Sequence, residues 1–180
     1  MKSGKILEVQ PEWCRQPLPT IELRFEIADW QKRVLFFDPT EAYKRLNAHI
    51  NPFHRYISTS IGIIFPKNDN KTCGCGCGRK LVGRQTRWAA EECNRFAVDV
   101  HFIIAGHMQI IDKYLHIYYG FGCSECGRNS YEIDHQWPIK FGGGGGWLSN
   151  YKKLCTSCHR KKTNKDFGWK QTDTSLPLFQ

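Results

Sequence analysis

Two cysteine pairs frame the part of this 180-residue chain richest in reactive side chains. Cys123-Ser-Glu-Cys126 and Cys155-Thr-Ser-Cys158 are separated by 28 residues. Each pair can offer two thiolates to one ion, and the four together complete the tetrahedron that structural zinc prefers. Between and beside them stand Asp134-His135, Asn150 and His159. A histidine titrates ordinarily near about 6.5, which suits it to accept a proton from water at neutral pH. A carboxylate together with a neutral imidazole can hold a divalent cation and still leave positions open for water and phosphate. Blander readings exist for each: reduced, unligated thiols, a hydrogen-bonded strand histidine, a turn-forming aspartate. Cys155-Thr-Ser-Cys158-His159 also fits c-type haem attachment, which requires an oxidising compartment and leaves Cys123 and Cys126 unexplained.

A second group, Cys73-Gly-Cys75-Gly-Cys77 with Cys93, supplies four further thiols. CxCxC is tight spacing for one tetrahedron, so a second zinc competes with a Gly-rich turn carrying free thiols. Basic residues accompany both groups. Arg84 and Arg87 follow the CGCGC segment, while Lys140, Lys152, Lys153, Arg160, Lys161, Lys162 and Lys165 surround the two CxxC pairs. Apart from forming solvated faces, such residues neutralise phosphates and give salt-dependent binding.

The ordered series CSEC, EIDHQWPI, a glycine run, LSNYKKLCTSCH and RKKT resembles the HNH nucleases, over about residues 115–165. The resemblance implies a small ββα-metal, treble-clef-like domain that hydrolyses phosphodiester bonds in DNA, with RNA as an alternative substrate. It assigns His135 as general base, Asp134 and His159 as ligands of a catalytic divalent ion such as Mg²⁺, and the four cysteines as a structural zinc site. Asn150 either orients the base-bearing loop or ligates the ion. Products with 5′-phosphate and 3′-hydroxyl ends are implied as well. The CGCGC segment resembles a treble-clef or FCS-like zinc finger found upstream of some HNH nucleases. Those fingers carry a cysteine directly after the aromatic residue, where this chain has Ala89 after Trp88. The rival function is a non-catalytic zinc protein that binds nucleic acid or serves as scaffold, for instance in a phage or mobile-element complex.

These side chains need elements to place them. Asp134 and His135 fall on a strand whose successive side chains point to opposite faces, so both can serve one phosphate only where that strand ends or twists. On a helix opening near Cys155, His159 is turned about 100° from Cys158, so the two can serve different ions. Upstream, residues 87–119 predict two helical pieces around Gly106, and Thr40 to Ile50 a helix capped by Thr40. Ile21 to Ile27 alternates as a half-buried strand does, and Ile57 to Phe65 reads as another strand. The expected class is α+β. The expected segments are an N-terminal α+β region (1–72) of unknown role, a zinc finger with helical connector (73–114), the nuclease domain (115–165) and a tail (166–180). Five glycines at 142–146 read as a flexible loop.

With 41% hydrophobic and 13% aromatic residues the chain can bury a core, which excludes wholesale disorder. Lys and Arg number 26 against 17 Asp and Glu, a net charge of +9 that favours polyanionic partners. No apolar run approaches the length that crosses a bilayer, and no secretory leader is visible, so a cytoplasmic setting is expected.

Overall fold

A computed structural model describes residues 16–23, 26–49, 57–141 and 146–168. Most of the glycine run (142–145), the C-terminal residues 169–180 and the first fifteen residues lie outside the described residues, and so do the expectations placed on them. The chain is α+β. Among the described residues, six α-helices, α1 (Asp29–Leu35), α2 (Thr40–Asn47), α3 (Ile57–Ile64), α4 (Glu91–Ile104), α5 (Met108–Tyr119) and α6 (Thr156–Asp166), accompany one antiparallel hairpin, β1 (Glu132–His135) and β2 (Tyr151–Leu154).

The long central helices form the platform. Along α4, Cys93, Phe96, Ala97, Val100 and Ile104 are buried, the three-and-four spacing of a single apolar stripe. Gly106, at φ +79°, reverses the chain into α5, whose Ile111, Tyr114 and Leu115 face back. Asp99 ties the pair, accepting from Lys113 Nζ at 2.9 Å and from the Tyr114 hydroxyl at 2.6 Å. Phe37, Phe65 and Phe96 meet with ring centroids 5.5–5.8 Å apart, joining the N-terminal helices to α4. One apolar core runs from Leu18 through Cys73, Cys75 and Cys93 to Leu148 and Tyr151, drawing on the N-terminal, finger and hairpin segments alike.

Three expectations are corrected. Ile57 to Phe65 is helical: Ser60, Ile61, Ile64 and Phe65 are buried, a period that a short apolar run does not distinguish from a strand. Ile21 to Ile27 forms no strand among its described residues, and no other described strand offers it a ladder. Leu23 packs on the core, Ile21 stays exposed, and the preceding Pro19 carbonyl accepts from Tyr118 on α5. Among the described residues before 73 the regular elements are the helices α1, α2 and α3. Thr40 begins α2 instead of capping it. Pro39 holds the N-cap position, and the Asp38 carboxylate before it accepts from the Thr40 amide at 2.9 Å and hydroxyl at 2.6 Å.

The hairpin is held from the N-terminal side. The Tyr43 ring of α2 stacks on Trp147 at 4.5 Å, and its hydroxyl accepts from the Gly146 amide. Gly146 lies so close to α4 that a Cβ there would fall 2.4 Å from the Ile104 Cα. The residues entering β2 are thus fixed to α2 and α4 before the site begins.

Candidate metal centres and active site

The four thiols of Cys123, Cys126, Cys155 and Cys158 lie within 4.8 Å of one another. Around zinc, with Zn–S near 2.3 Å, tetrahedral sulfurs stand about 3.8 Å apart, so this set fits the ion with small adjustments. The knuckle supplying the first pair is closed by the Cys123 amide donating to the Arg128 carbonyl at 2.8 Å. Gly122 is required before it, since a Cβ there would meet the Arg128 carbonyl oxygen at 2.6 Å. Cys155 caps α6, and the Ser157 hydroxyl with the Cys158 amide lowers its thiol to about 6, favouring thiolate.

Cys73, Cys75, Cys77 and Cys93 also converge within 4.8 Å and could hold a second zinc. The tight CGCGC spacing succeeds because Gly76 and Gly78 adopt φ near +76° and +77°, a left-handed conformation disfavoured for other residues. Cys93 enters from the first turn of α4, and the Arg33 guanidinium binds the Cys75 carbonyl at 2.8 Å.

The hairpin register places Asp134 opposite Lys152 and Glu132 opposite Leu154, so both acids share the face covered by α6. His159 stands between them, Nε2 3.7 Å from Asp134 Oδ2 and Nδ1 3.8 Å from Glu132 Oε2. Asp134 Oδ1 accepts from the His135 amide at 2.8 Å. Its Oδ2 is buried and takes part in no hydrogen bond, although Lys162 Nζ approaches to 3.1 Å. A desolvated carboxylate oxygen aimed at an imidazole nitrogen fits a divalent ion. Lys162 in turn pairs with Asp166 at 2.6 Å.

His135 ends β1 on the opposite face, its ring 4.6 Å from that of Tyr151. Burial pulls its pKa below the ordinary histidine value and nearby Lys162 adds to this, while Asp134 works the other way. The imidazole is therefore neutral, and so able to accept a proton, at neutral pH. Asn150 is fully buried. Its Oδ1 accepts from the Trp137 amide at 2.8 Å and its main-chain carbonyl from the Gln136 amide at 2.7 Å, so it fastens the chain leaving His135.

The basic residues divide. Arg84, Lys140, Arg160 and Lys161 are exposed, Lys140 lying over the Phe167 ring at 5.1 Å. Lys152 is half-buried and pairs with Glu125 at 2.8 Å. Lys152, Lys161, Lys162 and Lys165 line a cleft of about 570 Å³ between α6, β2 and the knuckle. Arg87 is half-buried against Gly62 and Gly74. Lys153 corrects its expectation as a nucleic-acid contact: it is fully buried, donates to the Gly120 carbonyl and lies over the Tyr131 ring. Sequence reasoning missed Glu132 and Asp166. The first is two residues before Asp134 on a strand and the second seven after His159 on a helix, spacings that put each on its partner's face.

Residues 123–165 match the family model described as HNH endonuclease, a span holding both CxxC pairs, the hairpin and nearly all of α6. No curated protein and no solved structure matches the chain.

Proposed function

We propose that the chain is a divalent-ion-dependent endonuclease that hydrolyses phosphodiester bonds in DNA. The observation that carries this reading is the meeting of Asp134 Oδ2, buried and outside any hydrogen bond, with His159 Nε2 at 3.7 Å. The HNH match over residues 123–165 supports it. Asp134 and His159 would hold the ion, which when bound neutralises charge at the phosphate and the departing oxygen. His135, half-buried with a lowered pKa, takes the proton from the attacking water. Asn150 keeps that imidazole aimed by fixing Gln136 and Trp137. Exposed Arg160 and Lys161 on α6 neutralise flanking phosphates. The zinc site of Cys123, Cys126, Cys155 and Cys158 would fix the knuckle and the start of α6, that of Cys73, Cys75, Cys77 and Cys93 the CGCGC loop and the start of α4, and neither takes part in the chemistry.

The test is a plasmid incubated with the zinc-loaded chain and Mg²⁺. Nicked or linear product is expected, and His135→Ala should slow it by about a hundredfold or more, the range of a general base. Cleavage unchanged in that variant removes His135 from the mechanism. Nucleic-acid binding with no cleavage would return the chain to a zinc-stabilised binding protein.

A further inference from the structure

We propose that Lys162 is a tethered counter-cation of the divalent-ion site, and that Asp166 is the dock that draws it aside when the ion enters. The inference rests on Asp134 and His159 being the ion's ligands. It changes the role of Lys162 from contacting nucleic acid to setting how tightly the ion is held.

Three groups of α6 spaced by three and four residues, His159, Lys162 and Asp166, fall on the helix face turned to Asp134. Two of them address the same atom. His159 Nε2 is 3.7 Å and Lys162 Nζ 3.1 Å from Asp134 Oδ2. A metal ion bound to that oxygen would stand where the ammonium now reaches, and two cations at this separation repel strongly. Asp166 Oδ2, 2.6 Å from the same ammonium, offers it an alternative partner one helical turn onward. The side chains of Lys162, Asp134 and Asp166 are each only 20–21% exposed, so the triad is largely shielded from the solvent that weakens surface pairs. Lysine suits this task better than arginine. A point charge on a flexible stem can shift from spanning both carboxylates, as it does here, to resting on one, where a planar fork would hold both through separate donors. With Lys162 against it, Asp134 remains neutralised while no metal is bound. With Lys162 drawn to Asp166, its Oδ2 is free for the ion.

The arrangement predicts opposite effects from two neighbouring substitutions, a pattern that general destabilisation does not produce. Mn²⁺ affinity is measured by electron paramagnetic resonance on the full zinc-loaded chain, without nucleic acid. Lys162→Met removes the competing charge and should tighten Mn²⁺ binding by about fivefold or more. Asp166→Asn removes the dock, leaves Asp134 as the lysine's one carboxylate, and should weaken binding by about threefold or more. Lys162→Arg keeps the charge and should not tighten binding. Unchanged or weaker binding in Lys162→Met, with Asp134→Asn still abolishing it, overturns the counter-cation role and leaves the ligand assignment standing. Mn²⁺ binding unaffected by Asp134→Asn overturns the ligand assignment and this inference with it. Should Lys162→Met fail to fold, the sign of the Asp166→Asn effect decides the question alone: tighter or unchanged binding there overturns the dock.

Discussion

His135 and Asp134 are adjacent in sequence, yet the strand sends them to opposite faces and into different work. Asp134 meets α6, and its second oxygen is buried outside any hydrogen bond, 3.7 Å from His159 Nε2 and 3.1 Å from Lys162 Nζ. His135 turns to Tyr151, and burial there lowers its pKa. A lowered value means the ring sheds its proton at a lower pH than an ordinary imidazole, and the neutral form is the one that accepts a proton. The acid limb of kcat/KM should therefore lie below about 6.5, with activity retained at that pH and lost on further acidification. Initial rates against pH, compared with the residual rate of His135→Ala, check this. A limb centred above neutrality would mean that another group titrates. At this scale the sequence was highly legible where residue type is itself chemistry: cysteines at ligand spacing, Asp-His, a histidine after the last cysteine. Glu132, Lys162 and Asp166 were less so, because acids and lysines are common on surfaces and only their register gives them a role. Lys153 misled for a related reason. Lys152 and Lys153 look alike in sequence, but a strand turns one outward and the other into the core.

Among elements, the junction before β2 matters most. The Gly146 amide donates to Tyr43, Trp147 stacks on the same ring, and α4 backbone stands against the glycine. Gly146→Ala forces its methyl toward the Ile104 Cα, an atom that cannot yield without moving the helix. A loss of about 1–3 kcal/mol, as for an overpacked core, is expected in urea unfolding. Gly106→Ala is the comparison: its Cβ would meet nothing, and it pays only for its left-handed conformation. Gly146→Ala proving the milder of the two would count against a pinned junction. The misread elements teach the complementary point. Ile57 to Phe65 alternates and is also compatible with a three-and-four repeat. Contacts with α2 and α4, far away in sequence, settled it as a helix. Ile21 to Ile27 has the pattern of a strand, but among the described residues no strand lies beside it, and no local signal reports a missing partner. The helices α4 and α5, longer and with a cleaner stripe, could be placed from sequence on either side of Gly106.

For the whole molecule, the two cysteine groups differ in how they are embedded. Cys73, Cys75 and Cys93 belong to the same apolar core as Phe96 and Tyr151, whereas Cys123 and Cys155 form a small cluster with Leu154. Two zinc ions per chain are expected by elemental analysis. Cys75→Ser should reduce them to one and lower the thermal midpoint of a single transition, because the finger's buried cysteines share the main apolar core of the described residues. Two resolved transitions would speak for independent units. The smaller cluster has a different consequence. Cys155 is at once a candidate zinc ligand and the N-cap of α6, and its carbonyl receives the His159 amide at 2.8 Å, one turn along. The sulfur thereby sets the helical phase from which the imidazole reaches across to the hairpin. A chain deprived of zinc is expected to lose that alignment, so the proposed cleavage should fall with zinc supply, as though a safety catch had been set.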